Sequence, residues 1–287
     1  MNLQPIQRVE GLTKQEFTEQ FIRTKTPVIL KDFIKGPAVD IWNYDYFKEV
    51  AGDLIVPVHG SENAHPDMVH SAPMTKMKFS EYLDLIQREP TESRLFLFNL
   101  LIEKPEIRKQ LVFNKIADNM LTWLPLMFFG GGGSSTRNHF DIDMSHILHT
   151  QFIGRKRVLL FPFEEQHNLY RKPWEVMSFV NFEKYYDPAG SKIDFKAFPA
   201  LHKAKGYDII LDHGDTLFMP AGYWHHMEYL DSGFAMSLRA MQNSMTGKLK
   251  GAWNLFGMRN IDTIMKKTAP GWWYNFKKSR TLDASRR

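Results

Sequence analysis

From residue 126 to residue 239 the sequence alternates short apolar runs with turns that contain glycine or proline. Runs such as Leu126–Phe129 and Arg157–Phe161 are too short for core helices and are typical of β-strands. Four consecutive glycines begin at Gly130, and they indicate a backbone turn rather than a linker between domains. Many short strands with this punctuation predict a β-sandwich or a jelly roll.

Helical spacing of apolar residues dominates the preceding part of the chain. Thr13 is a predicted N-cap, and Glu16 completes a capping box for a helix that ends near Arg23. Further helices are expected at 44–50, 77–87 and 105–112, and strands at 26–31, 54–59 and 94–100. We therefore divide one structural domain into an N-terminal α/β region, a β core and a basic helical C-terminal segment, at residues 1–90, 91–245 and 246–287.

The chain contains no cysteine, which excludes disulfides and thiolate metal sites. Histidine, aspartate and glutamate are then the candidate metal ligands, a set that favours iron, manganese or catalytic zinc. The N-terminus lacks the basic and then apolar profile of a signal peptide. No apolar run approaches the roughly 18 residues of a membrane span, so we expect a cytoplasmic protein.

The motif His139-Phe140-Asp141 is the strongest candidate for a metal site. On a β-strand, side chains two residues apart leave the same face. His225, which follows a predicted strand, is the candidate third ligand. Two histidines and one carboxylate are typical of non-haem Fe(II) oxygenases.

Other residues compete with this assignment. Two further His-x-Asp triplets occur, but His65-Pro66-Asp67 has a loop composition and His213-Gly214-Asp215 resembles a turn. Asp143 is an alternative ligand on the same predicted face, although a supporting or surface carboxylate is the commoner role. His226 is expected to point away from His225 and to be structural.

Three segments carry a resemblance to a known family: residues 136–141, 151–162 and 214–226. In these the chain resembles the cupin-like, JmjC-related Fe(II)/2-oxoglutarate-dependent hydroxylases. It looks most like the branch with the asparaginyl hydroxylase that inhibits hypoxia-inducible factor. The resemblance spans roughly residues 10 to 242 and implies a mainly β fold with flanking helices around a double-stranded β-helix, the cupin or jelly-roll core.

The resemblance also implies a cofactor set of Fe(II), 2-oxoglutarate as cosubstrate, and O2. His139, Asp141 and His225 match the iron ligands of the family. Lys156 matches the lysine that pairs with the distal carboxylate of 2-oxoglutarate, and Thr136 matches the hydroxyl that assists it.

The chain departs from the family at three positions of the cosubstrate pocket. The asparagine expected between the metal motif and Gly154 is not clearly present, and Phe96 and Phe98 stand where some relatives place a tyrosine. Arg239 replaces an asparagine of the last strand and is an alternative partner for the cosubstrate carboxylate.

Three functions follow as hypotheses. The first is hydroxylation of a protein or peptide side chain or of a small molecule. The second is tRNA modification by a hydroxylase of the same superfamily, and the third is a metal-binding, non-catalytic cupin.

The C-terminal segment bears on the choice between these functions. From Lys248 onwards ten Lys and Arg oppose two Asp, a local charge of +8 in a chain of net charge +5. Apolar residues at helical spacing in this segment are expected to pack on the protein. The alternatives are a homodimer through the C-terminal helices, as the resemblance implies, and contact with tRNA or an anionic membrane.

Overall fold

The structure is a computed structural model, and it describes residues 1–60, 73–95, 98–180, 182 and 195–286. The His65-Pro66-Asp67 triplet and Phe96 lie outside the described residues. The strands of the described ranges, in chain order, are β1 (Asn2–Gln4), β2 (Arg8–Val9), β3 (Val28–Leu30), β4 (Ile55–His59), β5 (Thr75–Lys78), β6 (Arg94–Leu95), β7 (Leu126–Gly130), β8 (Ser135–His139), β9 (His146–Ile153), β10 (Lys156–Phe161), β11 (Lys205–Leu211), β12 (Thr216–Met219), β13 (Trp224–Tyr229) and β14 (Gly233–Ala240).

Strands β7 to β14 form a jelly-roll core, which confirms the predicted fold class. One sheet has the order β11-β10-β13-β8 and the other has the order β12-β9-β14-β7, with all neighbouring strands antiparallel. Inward-facing side chains of both sheets, among them Ile147, Leu160 and Leu217, pack into one apolar cluster between them. The two sheets therefore form the walls of a barrel, and this apolar layer lies between them.

Short strands extend both sheets of the core. β6, β4 and β5 continue the second sheet beyond β7, and β3 and β2 continue it beyond β12. β1 pairs in parallel with β11 at the edge of the first sheet. The strands predicted at 26–31 and 54–59 correspond to β3 and β4.

The helices of the N-terminal part of the chain flank this core. They are α1 (Lys14–Phe17), which continues as a π-helix over Thr18–Ile22, α2 (Ala38–Ile41), α3 (Tyr44–Ala51), α4 (Phe79–Arg88) and α5 (Leu100–Glu103), followed by a 3-10 helix over Pro105–Gln110. Thr13 and Glu16 form the predicted capping box, with the Thr13 amide donating to Glu16 Oε2 over 2.8 Å. Aromatic residues of α3 and α4, Phe47 and Phe79, pack edge-on against Phe129 of β7. The helices thereby cover the outer face of the second sheet.

The strand predicted at 94–100 is wrong at its C-terminal end. β6 ends at Leu95 in the described residues, and helix α5 begins at Leu100. The Asn99 side chain accepts a hydrogen bond from the Leu101 amide over 3.0 Å. An asparagine that caps a helix in this way ends the extended conformation before Leu100.

The chain ends in helices that return to the core. They are α6 (Met245–Ala252), which continues through a π-helix over Trp253–Met258, α7 (Arg259–Thr268) and α8 (Pro270–Ser285). Every helix in the described part of the chain is too short or too polar to serve as a transmembrane span.

Candidate metal centre

Strands β8 and β13 place two histidines side by side. His139, the last residue of β8, pairs directly with His225 near the start of β13. The register of β13 shifts between His225 and Met227, and the two imidazole centroids lie 4.3 Å apart. Because the two residues are opposite one another on antiparallel strands, their side chains share one face of the sheet.

Asp141 completes the group from a turn rather than from the strand. β8 ends at His139, and the Met144 amide donates to the Asp141 carbonyl over 3.1 Å, with Met144 at a φ of 54°. The prediction that strand alternation aligns His139 with Asp141 is therefore wrong in its reason. The predicted convergence is nevertheless present, because one ligand atom from each of His139, Asp141 and His225 lies within 4.8 Å of the others.

Backbone carbonyls fix the orientation of both imidazoles. Nδ1 of His139 lies 2.7 Å from the Arg137 carbonyl, and Nδ1 of His225 lies 3.2 Å from the Tyr223 carbonyl. A carbonyl only accepts, so each Nδ1 carries the proton and each Nε2 keeps a free lone pair. Metal-binding histidines in proteins are held in this way.

The ionisation states also suit a metal ion. Burial lowers the pKa of both imidazoles, and it brings that of His139 to about 4. Burial opposes ionisation of Asp141, but His225 and Arg239 outweigh it and keep the pKa of this carboxyl below its usual value. At neutral pH the group therefore offers two neutral nitrogens and one carboxylate.

Arg239 contacts two carboxylates of the turn at residues 141–144, which we call the metal turn. Its guanidinium donates to Asp141 Oδ1 over 3.1 Å and lies 2.9 Å from Asp143 Oδ2. Asp143 Oδ1 also accepts hydrogen bonds from the amide and the hydroxyl of Ser145. Asp143 is thus a supporting carboxylate outside the three-residue group, and Arg239 already pairs with two acids.

This donor set fits a divalent ion such as Fe(II). His139, Asp141 and His225 would hold the ion with three donor atoms, which would leave it able to accept further ligands. His226 is buried on the opposite side of β13, where its ring lies 5.8 Å from that of Phe182. The sequence therefore predicted correctly that His225 and His226 point to different sides.

Lys156 is a fully buried cation on β10. Its Nζ lies 3.2 Å from His149 Nε2 and 4.1 Å from the centroid of the Tyr229 ring, which is opposite it on β13. No carboxylate of the described residues lies within ion-pair distance of Lys156. Burial lowers the pKa of Lys156 to about 7. The sequence predicted this lysine from the resemblance, but it did not predict His149 or Tyr229 as its neighbours.

Thr136 lies three residues before His139 on β8. Arg94 of β6 donates to its hydroxyl oxygen over 3.1 Å. Because the oxygen accepts from Arg94, the hydroxyl proton of Thr136 is available to a second acceptor. Arg94 gave no signal in the sequence, since its role depends on β6 joining the sheet at the edge of β7.

A segment from the loop after β10 forms backbone hydrogen bonds with residues 138–140, at the end of β8. The Phe140 amide donates to the Val176 carbonyl over 3.1 Å, and the Ser178 amide donates to the Asn138 carbonyl over 3.0 Å. Glu175, just before this segment, is buried and accepts from lysines 172, 266 and 277. Two of these lysines belong to α7 and α8, so the C-terminal helices are tied to the chain beside the metal group.

Comparison with known proteins agrees with this architecture. The family described as cupin-like domain matches residues 14–240. The chain is 24% identical over 255 residues to human tRNA wybutosine-synthesizing protein 5, an alignment that covers 82% of this chain and 77% of the relative. It is 24% identical to the Arabidopsis thaliana lysine-specific demethylase JMJ30, covering 81% of this chain and 54% of that protein. It is 22% identical to Xenopus tropicalis lysine-specific demethylase 8, covering 78% of this chain and 50% of that protein.

Proposed function

This chain belongs to the cupin-like domain family, and on that premise we propose that it is an Fe(II)- and 2-oxoglutarate-dependent oxygenase. Its reaction would be the hydroxylation of a protein or peptide side chain or of a small molecule. The observation that carries the proposal is the buried Lys156, which has no acidic partner in the described structure and stands on the barrel wall that also bears His225. A buried ammonium group without a counter-ion is unfavourable unless an anion joins it.

The residues of the chain divide the work between metal and cosubstrate. His139, Asp141 and His225 would hold Fe(II), and Arg239 keeps the carboxylate of Asp141 in place. Bound there, iron with 2-oxoglutarate and O2 would supply the oxidising chemistry that hydroxylates an unactivated C–H bond.

Lys156 and Thr136 would bind the distal carboxylate of 2-oxoglutarate. The ammonium group supplies charge, and the Thr136 hydroxyl supplies a proton that Arg94 leaves available. Both lie on strands of the sheet that carries the two histidines. Lys156 is 1% exposed, so its ammonium group is shielded from solvent.

A tRNA-modifying oxygenase is the second candidate. Two observations favour it: the similarity to a tRNA wybutosine-synthesizing protein over 82% of this chain, and the basic C-terminal segment. Trp253, Phe256 and Trp272 are exposed on that segment among lysines and arginines. Aromatic rings between basic side chains suit stacking and phosphate contact in single-stranded RNA. Phosphate contacts of this kind weaken as salt concentration rises.

Succinate release from 2-oxoglutarate in the presence of Fe(II) and O2 tests the proposal. We expect turnover by the wild-type protein and none by His225→Ala. Screening peptides, unmodified tRNA and small molecules for stimulation of this turnover distinguishes the two substrate classes. Metal binding without 2-oxoglutarate binding or turnover would instead identify a non-catalytic metal-binding cupin.

A further inference from the structure

The turn that carries Asp141 is held from outside the barrel. Its residues, 141 to 144, lie within the connection between β8 and β9, and Met144 has a left-handed backbone conformation that residues other than glycine rarely adopt. Such a conformation persists when surrounding contacts fix it.

Two of its carbonyl groups accept hydrogen bonds from the segment after β14. The Asn254 side-chain amide donates to the Ile142 carbonyl over 3.1 Å, and the Gln242 side-chain amide donates to the Met144 carbonyl. Ile142 is the residue directly after Asp141. The Asn254 bond thus fixes the peptide group next to the predicted metal ligand.

The helix that carries Asn254 lies directly against the turn. A Cβ atom at Gly251 would stand 2.4 Å from the Asp143 carbonyl oxygen, a distance that real Cβ atoms do not reach. Gly251, Asn254 and Met258 are buried on one side of this helix, while Trp253 and Phe256 are exposed on the other. Glycine at 251 therefore allows the close approach that brings the Asn254 amide to Ile142.

We propose that Asn254 is a positioning residue for the metal centre, and that Gly251 provides the space in which it acts. This inference rests on the proposed metal site. Asn254 contacts neither a metal ion nor a substrate; it fixes the peptide after Asp141, so the carboxylate stays where His139 and His225 converge. Residues that hold metal ligands in place commonly change metal affinity by about 10-fold to 100-fold when they are replaced.

The test is Mn(II) binding by titration calorimetry, with thermal unfolding of the metal-free protein measured in parallel. Asn254→Leu keeps the approximate size of the side chain, adds no charge beside the cation site and removes the amide donor. We expect it to weaken Mn(II) binding by about 10-fold or more, and by more than it weakens 2-oxoglutarate binding to the Mn(II)-loaded protein. Asn260→Ala is the matched control, because Asn260 is exposed and its side-chain amide donates to the Phe256 carbonyl one turn earlier in the same helical segment.

Gly251→Ala provides a second, independent variant. Alanine favours the helix over glycine, so the helix itself should be strengthened. The added methyl group must displace the Asp143 carbonyl, so we expect Mn(II) affinity to fall, and the unfolding midpoint of the metal-free protein shows whether the variant is still folded. Wild-type Mn(II) affinity in both folded variants would overturn the inference.

A separate result tests the function itself. If the wild-type protein binds Mn(II) and both variants bind it equally well, the inference fails and the metal site stands. If the wild-type protein binds no Mn(II), the proposed function fails first. Equal loss of affinity in Asn260→Ala would also overturn the inference, because it would show a general effect of the helix surface.

Discussion

The ammonium group of Lys156 donates a hydrogen bond to Nε2 of His149 across the interior of the barrel, over 3.2 Å. Nδ1 of His149 in turn lies 2.7 Å from the Ser237 hydroxyl. Burial, followed by the charge of Lys156, lowers the pKa of His149 well below its usual value, so the imidazole is neutral and accepts at Nε2. A neutral acceptor thereby holds Lys156 in place and does not compensate the positive charge of its protonated form.

We predict that 2-oxoglutarate binding weakens as the pH rises above 7. Burial lowers the pKa of Lys156 to about 7, and only its protonated form attracts a dianion. Above that pKa the affinity should fall by up to about tenfold per pH unit, because a proton must be taken up on binding. Calorimetry at pH 6, 7 and 8 with saturating Mn(II) measures this trend, and the trend should vanish in Lys156→Ala.

The stability of the ligand-free protein should change in the opposite direction. The unfolded chain keeps the ordinary lysine pKa of 10.5, so between about 7 and 10.5 it binds more protons at this residue than the folded protein does. The contribution of Lys156 to the free energy of unfolding therefore becomes more favourable as the pH rises through this window. Denaturant unfolding of wild type and Lys156→Met at several pH values isolates that contribution. A difference between the two that does not change with pH would contradict the depressed pKa.

Replacing Lys156 should cost more cosubstrate affinity than replacing Arg239. Lys156→Ala removes the buried partner of the distal carboxylate, with an expected loss of about 3–5 kcal/mol. Arg239 already pairs with Asp141 and Asp143, so Arg239→Ala should mainly weaken metal binding. Arg155→Ala is the control, because this neighbouring arginine pairs with Asp231 at the surface. The reverse order of effects on 2-oxoglutarate would place the cosubstrate at Arg239.

Removal of His225 should abolish stoichiometric metal binding. His225→Ala leaves His139 and Asp141 as two ligands from the end of one strand and the following turn, which hold Fe(II) or Mn(II) weakly. The control is His226→Leu, whose side chain lies on the other side of β13 and should retain one metal ion per chain. Wild-type binding of Mn(II) by His225→Ala in calorimetry would exclude the three-residue site.

The sequence predicted those parts of the molecule that depend on local chemistry. Thr13 and Glu16 signal their helix because a capping box lies within four residues. His139 and Asp141 were found from their spacing, although the turn at Met144, and not strand alternation, brings Asp141 to the site. Arg94, His149 and the contact between Asn254 and Ile142 were not predicted, because each depends on chain segments that only the folded barrel brings together.

Glu175 should contribute strongly to stability. It accepts from Lys172 and Lys266 over 2.7 and 3.3 Å, and from Lys277. Glu175→Gln removes the carboxylate that these ammonium groups share, while Lys266 and Lys277 keep Asp262 as a partner, so we expect the free energy of unfolding to fall by about 3 kcal/mol. Glu164→Gln, at an exposed position, is the matched control and should have little effect. Equal unfolding midpoints in denaturant for the two variants would contradict this role.

We propose that two copies of the chain associate through the exposed side of the C-terminal helices. Trp253 and Phe256 are 56% and 74% exposed, whereas the opposite side of the same helix packs on the metal turn. Such a cluster of exposed aromatic side chains is typical of an interaction surface. We expect wild type to be a dimer by light scattering, and the double variant Trp253→Ser, Phe256→Ser to be a monomer with unchanged Mn(II) affinity. Truncation after Thr246 should instead give an unstable protein, because it also removes Asn254 and Lys277 from the core. If the wild type is a monomer that binds tRNA in a salt-sensitive way, and the double variant loses this binding, the surface is an RNA contact and the dimer proposal is wrong.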